Sequence, residues 1–339
     1  AHGVITELDL SEAAQAEGVH LAFTCADMEA AGINIAMNAA IIKNRDGSNG
    51  AAPLRPMLAK DKVLYVGEPV AVIVADTYEQ ARDAAELIMF DVDELPAKID
   101  ITRGGETVHA EAPDNCAFDW GMGDEAATEA AFKAAAKTVA LDVGDNRIIV
   151  NSLEPRGCFA EWQDGRLHLA VNGQGVWVQK AELARQLRLD PAAVRVTNPD
   201  VGGGFGMKTG MYPEDGVVAY CCHVLQRPVK WMAERGEDFL SSSHGRDIET
   251  QAEMALAADG KVLALRIETL ANVGAYPAPT GVAIQVMIGP WVQTSVYDIQ
   301  TIDFHFTAVM TNTATMGAYR GAGRPEAIFN IERLMDEAA

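Results

Sequence analysis

VGGGFGMK, residues 201–208, sets four glycines and a phenylalanine ahead of a lysine. Runs of glycine permit positive φ and bring backbone N–H groups up to a ligand with no Cβ in the way. A turn built this way makes a nest for an anion. Two nucleotide patterns compete for the stretch. The Walker loop GxxxxGK[ST] fits at Gly202, yet Met207 stands where glycine must precede Lys208 and Thr209. The dinucleotide pattern GxGxxG fits at Gly202 and Gly204 and fails at the same Met207. Two readings remain beside a nucleotide-binding enzyme: an anion cradle of another kind, or a tight turn whose glycines serve only close packing. Phe205, between glycines, is expected to stand exposed, placed to pack on a planar or bulky cofactor.

GAYRGAGRPEA, residues 317–327, repeats the theme with Arg320 and Arg324 among its glycines. Two backbone cradles, one with arginines beside it, point to a large anionic cofactor gripped from two sides.

Composition narrows the partners. The 339 residues suffice for about two domains, and 49% hydrophobic with 22% charged residues is ordinary for a globular chain. No apolar run reaches the length of a membrane-spanning helix. The opening AHGVITELDL alternates like a strand and lacks the apolar stretch of a signal peptide. Lys and Arg number 27 against 48 Asp and Glu, a net charge of −21. Nucleic acid and anionic lipid both need a basic footprint, so neither is the expected partner. The charge reads as a solubilising surface, or else as the face for a cationic subunit. Five cysteines show no CxxC pair, and adjacent Cys221 and Cys222 sit in an apolar helical pattern as core thiols. That is cytoplasmic usage without a disulfide framework. Seven histidines are scattered with none at HxxxH spacing, so no metal held directly by side chains is expected.

Along the chain, strands mix with helices. KVLYVGEPVAVIVAD (62–76) reads as two strands turning at Gly67-Glu68-Pro69. A helix follows with Thr77 as its N-cap, and MFDVDELPAKID returns as an alternating strand. Residues 100–122 carry Gly, Pro and polar residues without periodicity and read as a connection. Beyond it come a helix at 124–137, a hairpin at Gln163-Asp164-Gly165 and an amphipathic helix from Trp177. A buried helix follows the glycines, and a long hairpin turns at Asp259-Gly260. The chain begins mid-strand and stops mid-helix, so both ends read as cut.

These residues make the chain resemble the molybdenum hydroxylases, the xanthine oxidase family, and specifically their large molybdopterin-binding subunit. GEPVAVIVAD (67–76), LEPRGCFAEW (153–162), NGQGVWVQ (172–179), VGGGFGMK (201–208) and AYRGAGRPEA (318–327) carry the likeness in the family's order. The resemblance implies an α+β fold: an α/β-hammerhead domain over residues 1–100, a linker over 101–122, and over 123–339 the N-terminal part of the molybdopterin-binding, aldehyde oxidase-type domain. Gln174 matches the family's glutamine beside the molybdenum. Gly203, Gly204, Phe205 and Gly206 match the loop along metal and pterin, and Arg320, Gly321, Ala322 and Gly323 match the second cofactor loop. The implied cofactor is molybdopterin with molybdenum, in its cytosine dinucleotide form in bacterial members. Its own dithiolene sulfurs hold the metal. The implied reaction is hydroxylation of an aldehyde or an electron-poor aromatic carbon with oxygen from water.

The resemblance also implies partners. Electrons leave through iron–sulfur clusters and FAD, expected on an iron–sulfur subunit and an FAD subunit because the cysteines here form no cluster set. Aerobic carbon monoxide dehydrogenases of the family follow the matching arginine with a copper-binding cysteine; Gly321 stands there, so CO oxidation is not expected. The family's base is a glutamate in GxGE, and Glu68, Glu106 and Glu237 follow a glycine but lack the glycine two residues further back. The C-terminal half of the large subunit is therefore a further expected partner, and the chain alone is expected to be inactive. A split-subunit module that binds or assembles the cofactor without catalysis is the other reading.

Several residues carry rival readings. Glu154 is either functional or paired with Arg156 or another arginine, and Arg320 either contacts cofactor or pairs with Glu326. Glu214 opens a helix, where a carboxylate favours the dipole. Ser241–Ser243 with His244 lack a GxSxG elbow and read as a polar loop.

Overall fold

The computed structural model describes residues 2–339. Its first part comprises β1 (Gly3–Asp9), β2 (Val19–Thr24), α1 (Cys25–Ala30), β3 (Lys62–Val63), β4 (Ala71–Ala75), α2 (Tyr78–Ala85) and β5 (Met89–Glu94). β1 lies between β3 and β5, and β2 pairs with β4 in a separate ribbon. Thr77 starts α2 as expected: its hydroxyl accepts the Gln80 N–H at 3.2 Å while Gln80 Oε1 accepts the Thr77 N–H at 3.1 Å. Such a box is worth about 1 kcal/mol.

The two strands expected in 62–76 are present on either side of the turn. Gly67 does turn, at φ +97°, but β3 pairs with β1 and β4 with β2, not with each other. The Glu68 carboxylate accepts the Leu64 N–H at 2.6 Å and the Tyr276 hydroxyl at 3.0 Å. This turn therefore docks on the second part of the chain instead of closing a ladder.

The second part runs β6 (Cys116–Gly123), α3 (Glu125–Ala134), β7 (Lys137–Asp145), β8 (Gly157–Gln163), β9 (Arg166–Val171), α4 (Trp177–Leu187), β10 (Val194–Thr197), α5 (Pro213–Leu225), β11 (Val229–Met232), α6 (Arg235–Ser241), β12 (Ile248–Leu256), β13 (Val262–Gly274), α7 (Pro279–Ala283), β14 (Ile302–Met310) and α8 (Arg324–Ala338). Four strands form one sheet in the order β10-β9-β8-β11, and five form another, β6-β14-β13-β12-β7. Asp164 and Gly165, at φ +51° and +73°, make the two-residue turn between β8 and β9.

The stretch 101–122 departs from a plain connection. Its last seven residues lie in β6, an edge strand paired antiparallel with β14. Phe118 stacks on Phe306 and Trp120 meets Phe304 edge-on, both at 6.1 Å. The glycines at 121 and 123 hide this alternation in the sequence.

Helix α5 lies on the four-stranded sheet and packs Val217, Ala219 and the two adjacent cysteines against Leu167 and Leu169. Phe23 and Met28 of the first part belong to the same core, so one apolar cluster joins both parts. Each fully buried leucine there contributes about 1.5–3 kcal/mol. Burial pushes the Cys221 thiol up to about 12 and Cys222 to about 11, which keeps them protonated and inert. Among the described residues no helix is long and apolar enough to cross a membrane.

Candidate functional site

One edge of the four-stranded sheet gathers the sequence motifs. β9 and β10 run parallel, so Gln174, just past β9, and residues 201–208, past β10, leave at the same edge. β8 runs antiparallel to β9 with Cys158 opposite Val171, which brings residues 153–156 to that edge too. Ligands of open α/β sheets characteristically sit beyond the carboxyl ends of such strands.

Protein contacts hold the glycine loop in shape. Gly202 donates its N–H to Glu154 Oε2 at 2.7 Å, and Lys208 Nζ donates to the same oxygen at 2.9 Å. Burial opposes the Glu154 charge, but Lys208 and the Gly202 N–H outweigh it and hold the carboxyl below its usual range. Gly206 donates to Gln174 Oε1 at 2.8 Å, and the Gln174 N–H donates to the Lys208 carbonyl at 2.9 Å. Asn198 Nδ2 reaches the carbonyls of Gly173 and Gly175 at 2.8 and 2.9 Å, fixing the turn that carries Gln174. Met207 is fully buried, so the position that broke both nucleotide patterns faces the core.

The second loop docks on the first. Arg320 donates its N–H to the Phe205 carbonyl at 2.8 Å. Gly206 has φ +102°, and a Cβ there would stand 2.5 Å from the Ala318 carbonyl oxygen. Gly321, Ala322 and Gly323 follow at φ +93°, +50° and +85° and lead into α8.

These contacts leave a set of donors unused. Among the described residues, the N–H groups of Gly203, Gly204, Phe205, Gly321 and Gly323 meet no protein acceptor. Gln174 Oε1 is taken, which leaves its Nε2 as a donor. The Arg320 side chain is exposed, and Glu326, its alternative partner, pairs instead with Arg246 at 3.3 Å. Phe205 is 47% exposed at φ +50°. Unpartnered N–H groups from two abutting loops, an aromatic face and a cation fit a large anionic, partly planar cofactor.

A buried ion network centres on Arg156. Arg156 donates to both oxygens of Glu214 at 3.1 Å, to Asp238 at 3.0 Å and to Ser242 at 2.8 Å, also bonds Ser241, and stacks 4.0 Å over Tyr212. Glu154 thus pairs with Lys208 and not with Arg156, and Glu214 does more than favour a helix dipole. Ser241 and Ser242 are buried members of this network, not a polar loop. Asp215 beside it accepts the Tyr212 N–H at 2.9 Å, and burial pushes its carboxyl up to about 6.

The Glu154–Lys208 pair and Asn198 were not singled out in the sequence. Their partners lie far along the chain, and no local pattern marks them.

Two family profiles match the chain. Residues 1–96 match the aldehyde oxidase and xanthine dehydrogenase a/b hammerhead domain, and residues 108–339 match the molybdopterin cofactor-binding domain. The chain is 34% identical to the nicotine 6-hydroxylase large subunit of Paenarthrobacter nicotinovorans, over all of this chain and 42% of that protein. It is 32% identical to the carbon monoxide dehydrogenase large chain of Hydrogenophaga pseudoflava, over all of this chain and 43% of that one. The crystal structure of quinoline 2-oxidoreductase from Pseudomonas putida 86 superposes with a TM-score of 0.88 at 29% identity, covering all of this chain and 43% of that chain. The chain spans about two-fifths of the length of these relatives.

Proposed function

This chain belongs to the molybdopterin cofactor-binding family of the molybdenum hydroxylases, and from that premise we propose that it forms one wall of a molybdopterin site in an oxidoreductase of aldehydes or aromatic heterocycles. The observation that carries the reading is the junction of the two loops at Phe205 and Arg320, with unpartnered N–H groups on both sides of it. The N–H groups of Gly203, Gly204, Gly321 and Gly323 bind anionic oxygens of the cofactor, and Arg320 adds a charge. Phe205 packs on its planar part. The Gly206 N–H occupies Gln174 Oε1, so Nε2 is the donor that Gln174 would offer to the cofactor. When bound, the cofactor supplies two-electron oxidation of a carbon with oxygen from water. Met207, buried beneath the turn, and the Glu154–Lys208 pair hold the loop in position.

The cofactor is read here as the cytosine dinucleotide form and the setting as cytoplasmic. The C-terminal half of the large subunit, an iron–sulfur subunit and an FAD subunit are the expected partners, because this sequence contains neither GxGE nor a cysteine cluster set. Elemental and cofactor analysis of the complex purified with its native partners tests the reading. Stoichiometric molybdenum with a pterin is expected; its absence alongside bound ATP or NAD refutes it. Complete cradles without a base also fit a split module that only holds the cofactor. Substrate turnover by the complex decides between the two.

A further inference from the structure

A cavity of about 100 Å³ opens beside the first loop, between residues that directly follow it and residues 37–55 of the first part of the chain. By the same measure a water needs about 10–15 Å³, so the space admits a small ligand. Thr209, directly after the first loop, lines it, as do Ser243 and Thr280. A Cβ on Gly317, where the second loop begins, would stand 2.7 Å from Ser243 Oγ and 3.7 Å from Thr280 Oγ1. The cavity therefore shares its wall with the site described above.

Among the described residues that line it, Arg55 is the one cation. A guanidinium carries five donors. Among the described residues Arg55 uses one, to the Tyr65 hydroxyl at a long 3.4 Å, and otherwise rests 5.9 Å over the Tyr276 ring. The acids around it are taken. Glu68 accepts from the Leu64 N–H and the Tyr276 hydroxyl, Glu214 is held by Arg156, and Glu182, also in the lining, is held by Arg185 at 2.6 Å. Arg156 shows by contrast what a structural buried arginine looks like here, with two carboxylates and two serines on it. A half-buried guanidinium facing a cavity with its donors free lacks an anion. Met37 and Met211 supply apolar walls, so the missing ligand has an apolar body.

We propose that this cavity is a subsite for a small organic carboxylate, held by Arg55 with its apolar body between Met37 and Met211. The carboxylate belongs either to the molecule being oxidised or to a separate ligand. The proposal does not depend on the cofactor reading, because binding is measured without turnover.

The test is calorimetric titration of the purified complex with benzoate and, separately, with inorganic phosphate. Benzoate binds and phosphate does not. Arg55→Met weakens benzoate roughly 10- to 100-fold, the range for losing a charge-assisted hydrogen bond. Because Arg55 also packs on Tyr276, a second variant is needed: Ala39→Phe fills the cavity from its exposed rim, leaves Arg55 in place and abolishes benzoate binding at an unchanged thermal midpoint. No benzoate binding to the wild-type complex overturns the proposal, as does wild-type affinity in both variants. Phosphate binding as tightly as benzoate overturns the assignment to an organic carboxylate. Benzoate that competes with the reacting molecule assigns the subsite to the substrate; binding that leaves turnover unchanged assigns it to a separate ligand. Molybdenum content is measured alongside, so a failed cofactor reading is seen apart from a failed carboxylate site.

Discussion

Replacing Glu154 with glutamine keeps the side chain's shape and an acceptor for the Gly202 N–H but removes the charge facing Lys208. The two partners are not equivalent. The Lys208 side chain is 2% exposed and that of Glu154 31%. Glu154→Gln therefore strands an ammonium in the interior, which costs about 3–5 kcal/mol. Lys208→Met leaves a carboxylate that can hydrate through its exposed edge and still accept from Gly202, at about 1–2 kcal/mol. The double variant has no charge left to strand and is expected to lose only about 1–2 kcal/mol. The single variants thus overshoot the double by at least ~2 kcal/mol of coupling. Urea denaturation of the three variants measures this, and hydrogen exchange at Gly202 reports whether the loop loosens in step. Equal losses in the two single variants, adding up in the double, would refute the account of the loop as pinned by a buried lysine.

Gly206→Ala sets a Cβ 2.5 Å from the Ala318 carbonyl oxygen at φ +102°, and strain plus overlap amount to about 2–6 kcal/mol. The two loops part, and molybdenum content of the complex falls sharply; Gly210→Ala, at φ +93° with nothing within 4 Å, is the control that keeps it. For Asp215 the sign follows from a carboxyl raised from 3.8 to about 6 by burial. The folded state binds that proton more tightly than the unfolded one, so its contribution is complete below pH 3.8 and is lost as pH rises through 6. Asp215→Asn keeps an acceptor for the Tyr212 N–H and removes this loss, so at pH 7 it is more stable than wild type by up to about 3 kcal/mol. Denaturation midpoints between pH 4 and 7.5 should show the gap closing toward acid; a gap independent of pH refutes the assignment.

Much of the fold was legible where the signal is local. Thr77 with Gln80, Asp164-Gly165 and Asp259-Gly260 each act within a few residues, and each stands where its chemistry requires. Pairing between distant strands was not legible. Residues 62–63 and 71–75 have strand composition, but what they pair with is decided by β1 and β2, tens of residues away. Periodicity carries no information about a partner. The same limit applies to charges: Arg156 finds its carboxylates 58 and 82 residues downstream, and nearby Glu154 goes to Lys208 instead.

The site itself was legible in its glycines because they answer to two different demands. Gly206 is fixed by close approach to Ala318, while Gly203 and Gly204 present N–H groups with no acceptor among the described residues. Met207 separates this loop from nucleotide loops for a physical reason: its side chain fills the core beneath the turn, and a glycine there would leave a hole. A phosphate-binding lysine needs a free ammonium, yet Lys208 is spent on Glu154. What remains to grip an anion is backbone, together with Arg320 from the other loop. A cofactor recognised this way is held by the junction of two loops, so its retention should follow the Phe205–Arg320 contact more closely than the charge of any one residue in the loop.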